Sequence, residues 1–150
     1  MAKPITEKFE QMTLEVATDE AGTTWTKICG LVGVTITRSA TFDTSEVPAD
    51  CDDESLPLDQ ERALRSLQVS VSADGVWAQQ SHEMMLDWFY GGQSKLIRLG
   101  NQNAAVGDTQ YERGPAVMTT LTNQRTKGQK VTASIALEFD GTPTRLPRAA

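Results

Sequence analysis

Residues 32–43 have the sequence VGVTITRSATFD, in which apolar and polar side chains alternate. The apolar positions are Val32, Val34, Ile36, Ala40 and Phe42, and the other positions include Gly33, Thr35, Thr37, Ser39, Thr41 and Asp43. Successive side chains of a β-strand point to opposite faces of a sheet. This segment therefore predicts a strand that packs an apolar face on a core and presents a polar face to its surroundings.

The same alternation returns in QMTLEVA (11–17), LQVSVSAD (67–74) and VTASIALEFD (131–140). Shorter candidate strands are TTWTKIC (23–29), KLIRLG (95–100) and AVMTTLTN (116–123). Half-buried strands with one polar face are typical of antiparallel sheets, whereas parallel sheets covered on both sides have continuous apolar runs. The sequence therefore predicts a mainly β, antiparallel fold. The polar faces consist mostly of Ser, Thr, Gln and Asp, with little Lys or Arg.

One segment, QQSHEMMLDWFYGG (79–92), has helical spacing instead. Ser81 is a candidate N-cap, and Gly91 with Gly92 is a stop signal. The predicted helix covers about residues 81–90. Its apolar residues are Met84, Met85, Trp88 and Phe89, of which the last three have the spacing of a helical stripe. An amphipathic helix uses such a stripe to pack on a sheet, so we interpret these side chains as core rather than as a ligand pocket.

An acidic segment, residues 43–61, begins at the end of the strand predicted at 32–43 and precedes the strand predicted at 67–74. It contains eight carboxylates and no base: Asp43, Glu46, Asp50, Asp52, Asp53, Glu54, Asp59 and Glu61. The whole chain has a net charge of −6, so the remainder carries a net +2 and the acidity is local. Pro48 and Pro57 interrupt the segment and no periodicity crosses it. This predicts a long functional or disordered loop at about residues 44–65.

We considered three chemical roles for this loop. A calcium-binding EF-hand needs ligands at alternate positions and a turn glycine, which residues 50–54 lack. A zinc site needs more than one soft ligand, and Cys51 has no second Cys or His nearby. A hydrolase would need one carboxylate in an apolar pocket, and the only apolar neighbours are Val47, Leu56 and Leu58. We therefore interpret the segment as a solvated, negatively charged contact loop.

The composition limits the class of protein. A chain of 150 residues with 39% apolar residues suits one globular domain, which we place at residues 1–150. We find no apolar run near the roughly 18 residues of a membrane helix and no signal-peptide core, so we expect no membrane insertion and reduced thiols at Cys29 and Cys51. The bases of TNQRTKGQK (122–130) lie in a predicted hairpin turn rather than in a nucleic-acid-binding stripe. His82 has no Ser or Cys placed for activation, and we assign it no catalytic role.

A succession of short motifs runs in order along nearly the whole chain. The residues concerned are Ile28, Gly30, Leu31, Asp43, Thr44, Ser45, Ser70, Ser72, Gly75, Trp77, Leu86, Phe89, Gly114, Pro115, Ala116, Thr132, Ser134, Leu137, Asp140, Gly141 and Pro143. Each motif alone has little specificity, but together they resemble the major tail tube proteins of long, non-contractile-tailed phages and of gene transfer agent particles. The chain departs from that family in the segment after Ser45, which is acidic and contains no glycine.

The resemblance implies a fold, an assembly and a location. The expected fold is an antiparallel β-sandwich or half-open barrel with one flanking helix, a long acidic loop, and a short flexible tail at residues 144–150. Six copies are expected to close a ring, and rings to stack into a tail tube that conducts genome DNA without binding it specifically. Further expected partners are the tape measure protein, the tail terminator and the distal tail protein, in a virion tail assembled in the host cytoplasm. No enzymatic activity, metal or cofactor is expected.

Two groups of residues are candidates for function under this resemblance. The candidate lumen-facing residues are Thr35, Thr37, Ser39, Gln68, Ser70, Ser72, Asp74, Thr132, Ser134 and Glu138. The candidate inter-ring loop residues are Glu46, Asp50, Asp52, Asp53, Glu54, Leu56, Leu58 and Asp59. Because the first group carries carboxylates and no base, we expect an electronegative pore that repels phosphates. Arg38 falls in register with the apolar face, and we expect it at a rim or a subunit boundary.

Three alternatives remain open from the sequence. A tail terminator or completion protein of the same fold would form a single ring, and the sequence does not separate it from a tube subunit. A β-sandwich module that binds carbohydrate or protein would use exposed aromatic platforms among Trp25, Trp77 and Trp88. A hydrolase would use the carboxylates of residues 50–54.

Overall fold

The computed structural model describes residues 2–149, so Met1 and Ala150, the ends of the predicted domain, lie outside the described residues. Within this range it contains eight β-strands, one α-helix and a short 3-10 helix at Phe9–Gln11. The strands are β1 (Met12–Ala17), β2 (Trp25–Lys27), β3 (Leu31–Val47), β4 (Asp59–Val76), β5 (Lys95–Asn101), β6 (Thr109–Gln124), β7 (Thr132–Phe139) and β8 (Thr144–Pro147). The helix α1 (Gln79–Gly91) lies between β4 and β5 in the chain. The prediction of a mainly β fold with one helix is confirmed.

The described strands form one antiparallel sheet in the order β2-β1-β5-β6-β7-β4-β3, with β8 paired to β6. β2 and β3 end the sheet and do not pair with each other, so the sheet stays open. Its inner face and α1 together surround one hydrophobic core. Of the architectures expected from the resemblance, this arrangement corresponds to the half-open barrel.

Alternating apolar residues supply the inner face of the sheet. They are Leu14 and Val16 of β1, Val69 and Val71 of β4, Ile97 and Leu99 of β5, Ala116 and Met118 of β6, and Ile135 and Leu137 of β7. Each is at most 8% exposed. Full burial of a Val, Leu, Ile or Met side chain contributes about 1.5–3 kcal/mol. The alternation in the sequence therefore predicted the core residues of β1, β4 and β7, whereas β5 and β6 were predicted only as short strands.

Helix α1 packs on this core through one narrow stripe. Ser81, Met85 and Trp88 are its buried residues. Met85 and Trp88 are 0% and 2% exposed, which confirms the interpretation of the stripe as core. Phe89 is 37% exposed, because it lies one residue and about 100° further round the helix than Trp88. Its assignment to the stripe was wrong.

The two ends of α1 were predicted with different success. Gly92 follows the helix in the left-handed conformation, with φ of 66°, as the stop signal predicted. The helix begins after Ala78, two residues earlier than expected, and Ser81 is not its cap. The Ser81 hydroxyl instead donates a hydrogen bond to the Cys29 carbonyl oxygen (3.3 Å), which ties the first turn to the segment before β3.

Strands β3 and β4 are longer than the sequence predicted. The expected loop at about residues 44–65 is shortened to 48–58, because β3 continues to Val47 and β4 begins at Asp59, with these two residues in register. Most of the added strand residues are polar, so an apolar period does not reveal them. Backbone hydrogen bonds join such strands whatever their side chains. Pro48, which has no N–H to donate, stands just beyond the last pair.

A register shift between Leu31 and Gly33 moves Val32 out of the apolar face of β3. Val32 is 68% exposed, whereas Val34 and Ile36 pack against the core as predicted. An extra residue in one strand of an antiparallel pair disrupts the local alternation. The inward placement of Val32 was wrong for this reason.

The described part of the expected flexible tail is partly ordered. β8 pairs with β6, with Leu146 opposite Tyr111, and the Arg148 N–H donates to the Asp108 carbonyl oxygen (2.8 Å). β7 pairs with β6 only from Ala116 onward, so the first half of β6 has an edge that β8 can occupy. No described helix is long and apolar enough to cross a membrane.

Candidate functional site

The ten candidate lumen-facing residues lie together on the outer face of β3, β4 and β7. Cross-strand pairing places Thr37 beside Ser70, and Ser70 beside Glu138. The other pairs of this face are Ser39 with Gln68, Thr35 with Ser72, Asp74 with Ser134, and Val76 with Thr132. Directly paired residues point to the same side of an antiparallel sheet, so the set forms one surface, which we call the polar face. Its role as a pore lining stays a prediction.

Asp74 and Glu138 give the polar face its negative charge, and no base is among its ten residues. Asp74 extends over the neighbouring strand at Gly33, where a Cβ atom would stand 2.2 Å from Asp74 Oδ1. Only a residue without a side chain leaves room for the carboxylate in this position. Arg38, which pairs with Val69, belongs to the inner face instead.

At the end of the polar face near Ser39 and Gln68, β3 and β4 separate from the rest of the sheet and continue together as a two-stranded hairpin. β4 pairs with β7 only from Ser70 onward, so the strand residues of 39–68, which we call the arm, pair only with each other within residues 2–149. From Ser39 to Val47 the arm extends about 27 Å, at about 3.4 Å per residue. Apart from Val47, every residue of the arm is exposed. The arm therefore projects from the subunit with both faces open.

One face of the arm is apolar and uncovered. Phe42, Leu64 and Leu67 are 52%, 54% and 48% exposed, and Ala40 is exposed opposite Leu67. The sequence placed Ala40, Phe42 and Leu67 on the core side. That was wrong because β7 stops pairing at Ser70, and no described element covers the arm beyond it. Contiguous exposed apolar side chains of this kind mark contact surfaces.

The arm ends in the candidate inter-ring loop, whose eight predicted residues are all exposed. Asp50 Oδ1 accepts a hydrogen bond from the Asp52 N–H (2.9 Å), and Asp53 Oδ1 accepts one from the Ser55 N–H (3.0 Å). The Ser55 hydroxyl also donates to Asp53 Oδ1 (2.5 Å), and these bonds lower the pKa of Asp53. Within the described range, no carboxylate of residues 46–61 forms an ion pair. Residues 46–61, which we call the arm tip, therefore present unpaired negative charge.

An ion pair holds the base of the arm to the far side of the sheet. Arg38 Nε donates to Glu112 Oε2 (3.2 Å), and Arg38 Nη2 donates to Glu112 Oε1. β4 and β7 lie between β3 and β6 in the sheet, so this pair spans the inner face of the curled sheet. The bond to Glu112 raises the pKa of Arg38. The predicted register of Arg38 with the apolar face is confirmed, and its place at a subunit boundary stays a prediction.

A cavity of about 780 Å³ lies between the end of α1 and the ends of β1 and β5. Its titratable lining residues are Asp19, Glu20, Asp87 and Lys95. The Thr23 hydroxyl and the Thr23 N–H both donate hydrogen bonds to the Asp19 carboxylate, and the bond from the N–H is 3.0 Å long. These hydrogen bonds lower the pKa of Asp19. A general acid at neutral pH needs the opposite shift. Asp19 is therefore suited to stabilising the turn before β2.

The other residues that could take part in chemistry are His82 and the two cysteines. His82 Nδ1 accepts a hydrogen bond from Trp77 Nε1 (2.8 Å). Cys29 and Cys51 are free and exposed. In residues 2–149 no three His, Cys, Asp or Glu side chains are grouped so as to hold a metal ion. The polar face and the arm are thus the features that most need a functional explanation.

A stacked cluster on the outer face of β2, β5 and β6 was not predicted. The guanidinium carbon of Arg98 lies 4.6 Å from the ring centre of Trp25 and 4.3 Å from that of Tyr111. The corresponding distance from Arg113 to Trp25 is 5.4 Å. These distances are those of cation–π contacts. Alternation in WTK, KLIRLG and YERG gives each side chain its face, but only the strand order shows that they meet.

Both the sequence and the fold have matches among known proteins. A family model described as phage tail tube protein matches residues 6–145, which is most of the chain. No curated protein matches the sequence significantly. The resemblance stated from the sequence motifs is confirmed by the family match.

Several solved structures share the fold. The tail of an empty gene transfer agent particle, refined with C6 symmetry, matches with a TM-score of 0.70 and 16% identity over 94% of this chain and 99% of that one. The virion of a native gene transfer agent particle matches with a TM-score of 0.66, at the same identity of 16% and the same coverages of 94% and 99%. The SPP1 tail tube matches with a TM-score of 0.67 and 11% identity over 97% of this chain and 81% of that one.

Proposed function

The chain belongs to the phage tail tube protein family, and on this premise we propose that it builds the tail tube of a phage or a gene transfer agent particle. Six copies close a ring, and rings stack into a tube through which genome DNA is delivered. The number six is supported by the C6 symmetry of a structurally similar tail. The role is structural rather than enzymatic.

The observation that carries this proposal is the open sheet with the projecting arm at one end. Among the described residues, no strand pairs with the outer edge of β3 along Leu31–Val47. A long exposed edge favours pairing with another chain, and closure into a ring removes such edges. The apolar side chains of Phe42 and Leu64 on the arm add surface that association would bury.

The polar face is the surface that we assign to the lumen. Thr35 and Ser72 are typical of it: short, uncharged and exposed. The two carboxylates, Asp74 and Glu138, become a band of like charge when repeated around a ring. Phosphates near such a band are repelled, and salt screens the repulsion over about 8–10 Å. DNA therefore passes without being retained.

The arm tip is assigned to contacts between stacked rings. Its carboxylates have no ionic partner in their own subunit among the described residues. The arm also carries the tip about 27 Å away from the strand pair that supports it. Bases of a neighbouring subunit would relieve the repulsion between the tip carboxylates.

The remaining partners follow from a place in the tail. The tape measure protein would occupy the lumen during assembly, and the tail terminator and the distal tail protein would contact the two ends of the tube. The protein would then reside in the virion tail after assembly in the host cytoplasm, without a cofactor. These assignments rest on the family match.

The predicted binding-module alternative has less support. Trp88 is 2% exposed, and Trp77 is half-buried and donates to His82. Trp25 is half-buried beside Arg98. None of the three is a fully exposed platform. A single-ring terminator has the same fold, so the two candidates differ in whether stacking continues.

Negative-stain microscopy of the purified protein tests the proposal, with light scattering to measure mass. We expect six-fold rings that stack into tubes. Rings that never stack would indicate a terminator instead. Protein that remains monomeric at every concentration and salt tested would contradict both roles.

A further inference from the structure

A row of four charged residues crosses the outer face of four adjacent strands. Lys27 of β2 pairs with Glu15 of β1, Glu15 pairs with Arg98 of β5, and Arg98 pairs with Arg113 of β6. Because directly paired residues share a face, the four side chains lie side by side, and we call them the charge row. It contains three bases and one acid, in a chain whose net charge is −6.

The centre of the charge row is fixed by its neighbours. Arg98 Nη2 lies 3.1 Å from Glu15 Oε2, and the two side chains are only 22% and 13% exposed. The rings of Trp25 and Tyr111 contact the Arg98 guanidinium. Arg98 Nε is buried and has no acceptor among the described residues. A guanidinium held in this way keeps one orientation, so Arg98 fixes the centre of the row between Lys27 and Arg113.

The charge row has more basic groups than carboxylates to pair with them. Arg98 and Arg113 stand directly opposite each other, and like charges in that position are destabilising. The acceptor of Arg113 within the described range is the Ala21 carbonyl oxygen, at 3.4 Å. Lys27 is exposed and forms no ion pair in the same range. The row therefore favours an anionic partner from outside the subunit.

We propose that the charge row binds the acidic arm tip of a second copy of the chain. Residues 46–61 contain seven carboxylates and no base. Guanidinium and carboxylate groups form charge-assisted hydrogen bonds about twice as strong as neutral ones. Each copy carries both surfaces, so an assembly presents them to each other at high effective concentration. This inference rests on the proposed function, since it names the receptor of the arm tip between rings.

Duplex DNA is the other polyanion in such a particle, and the arm tip fits the row better. DNA binding gains its strength from many phosphate contacts. The charge row offers a net charge of only +2, and Glu15 would face the phosphates. A short acidic segment with few carboxylates matches a row of this size.

Charge reversal on each surface tests the proposal. Lys27→Glu with Arg113→Glu should lower the ring-to-ring association constant about tenfold or more, seen as shorter tubes by negative-stain microscopy. Asp52→Lys with Glu54→Lys should have a similar effect without loss of folding, because both tip residues are exposed and form no ion pair within the described range. All four substitutions in one chain should restore much of the tube length. Normal tubes from the first pair would overturn the proposal.

A matched control separates a local contact from total charge. Lys127→Glu with Lys130→Glu changes the net charge by the same amount as the row variant, in the exposed turn between β6 and β7. Tube length should be unchanged. Circular dichroism and urea unfolding of every variant verify that the subunits are folded. Equal shortening by the control and the row variant would show that total charge, not the row, governs stacking.

The two thiols provide a direct measurement of proximity. Cys51 is in the tip, and Cys29 is two residues, or about 7 Å, beyond Lys27. A short bismaleimide should join Cys51 of one copy to Cys29 of another in assembled tubes. The product should disappear in Cys29→Ser and in Cys51→Ser. Its presence in either variant would mean that like cysteines meet, which contradicts the proposed contact.

Failure of this inference is distinguishable from failure of the proposed function. If the unmodified chain does not assemble, the tube role fails, and the contact is tested by binding of a peptide of residues 46–61 to the folded subunit. Absence of binding, or equal binding to the Lys27→Glu, Arg113→Glu variant, would overturn the inference. Where tubes do form, one further result would overturn the inference. The unmodified protein would bind short duplex DNA in a salt-sensitive way, and the Lys27→Glu, Arg113→Glu variant would lose this binding while its tubes kept their normal length.

Discussion

Trp77 and His82 join the end of β4 to the first turn of α1. The indole Nε1 donates a 2.8 Å hydrogen bond to His82 Nδ1, and the rings meet edge to face with centres 5.1 Å apart. Because Nδ1 accepts, a neutral His82 carries its proton on Nε2. The one histidine of the chain thus positions the helix against the sheet.

His82→Phe should lower the free energy of unfolding by about 1–2 kcal/mol, because it leaves the half-buried Trp77 N–H without its acceptor. Urea unfolding monitored by circular dichroism measures the loss. His82→Gln is the control, since its side-chain oxygen can accept the same bond and should preserve more of the stability. Equal losses in the two variants would indicate that ring packing, not the hydrogen bond, matters.

Two substitutions on opposite faces test the assignment of the sheet surfaces. Val71 is 1% exposed, so Val71→Asp buries an unpaired charge and should prevent stable folding. Thr35→Arg lies on the polar face and should change the free energy of unfolding by no more than about 0.5 kcal/mol. It should nevertheless disturb the ring or its pore in micrographs. Loss of folding in both variants would show that the faces are misassigned.

Replacing residues 48–58 with Asn-Gly should leave a folded subunit that forms rings but does not elongate. Val47 and Asp59 are directly paired, and Asn-Gly suits a two-residue hairpin turn between such a pair. A variant with a Gly-Ser loop of the original length at residues 48–58 is the control, because it removes the side chains of the loop without shortening it. Tubes of normal length from the Asn-Gly variant would exclude the tip from stacking.

Binding of DNA tests the predicted negative charge of the proposed lumen. Unmodified tubes should bind short duplex DNA no better than an inert protein at moderate salt. Thr132→Lys on the polar face should create binding that weakens as salt rises. Gln129→Lys in the neighbouring turn adds the same charge outside the polar face and should have no such effect. If only Gln129→Lys binds, the lumen is formed by a different surface.

The tip has a pH dependence that follows from Asp53. Hydrogen bonds from Ser55 lower its pKa, so they stabilise the turn above the ordinary Asp pKa, and this contribution is lost as pH falls through the lowered value. Ser55→Ala should raise the pKa of Asp53 toward its ordinary range, as measured by NMR titration. Ser55→Thr keeps a hydroxyl and should leave the pKa low. An unchanged pKa in Ser55→Ala would mean that the hydroxyl contributes little.

Alternation predicted the parts of the fold where one face of a strand is covered. Val71 and Ile135 are buried as expected, because neighbouring strands and α1 lie over the same face. The same pattern failed at Phe42 and Leu67, since a period shows which residues share a face but not whether another element reaches them. The extent of the arm was missed for a related reason: Thr44 and Ser45 pair through their backbones, which leave no apolar signal.

The candidate site was predicted in a similarly uneven way. The residues of the polar face were found from the sequence because each strand carries its own alternation. The charge row was not, since Lys27, Arg98 and Arg113 are far apart in the chain and become neighbours only through the order β2-β1-β5-β6. Strand order depends on how the whole sheet packs, and no single segment encodes it.

The arm, which no other described element of its subunit supports, also affects how assembly of the proposed tube begins. A hairpin held only at its base is marginally stable in water, so part of the free energy of association is spent on ordering it. In the proposed tube, a first ring has no ring beneath it to offset that cost, whereas each later ring finds its docking surface already formed. We therefore expect initiation to be slower than elongation, with a lag phase and a threshold concentration below which subunits stay free. Polymerisation would then start from a preformed platform and continue from the growing end.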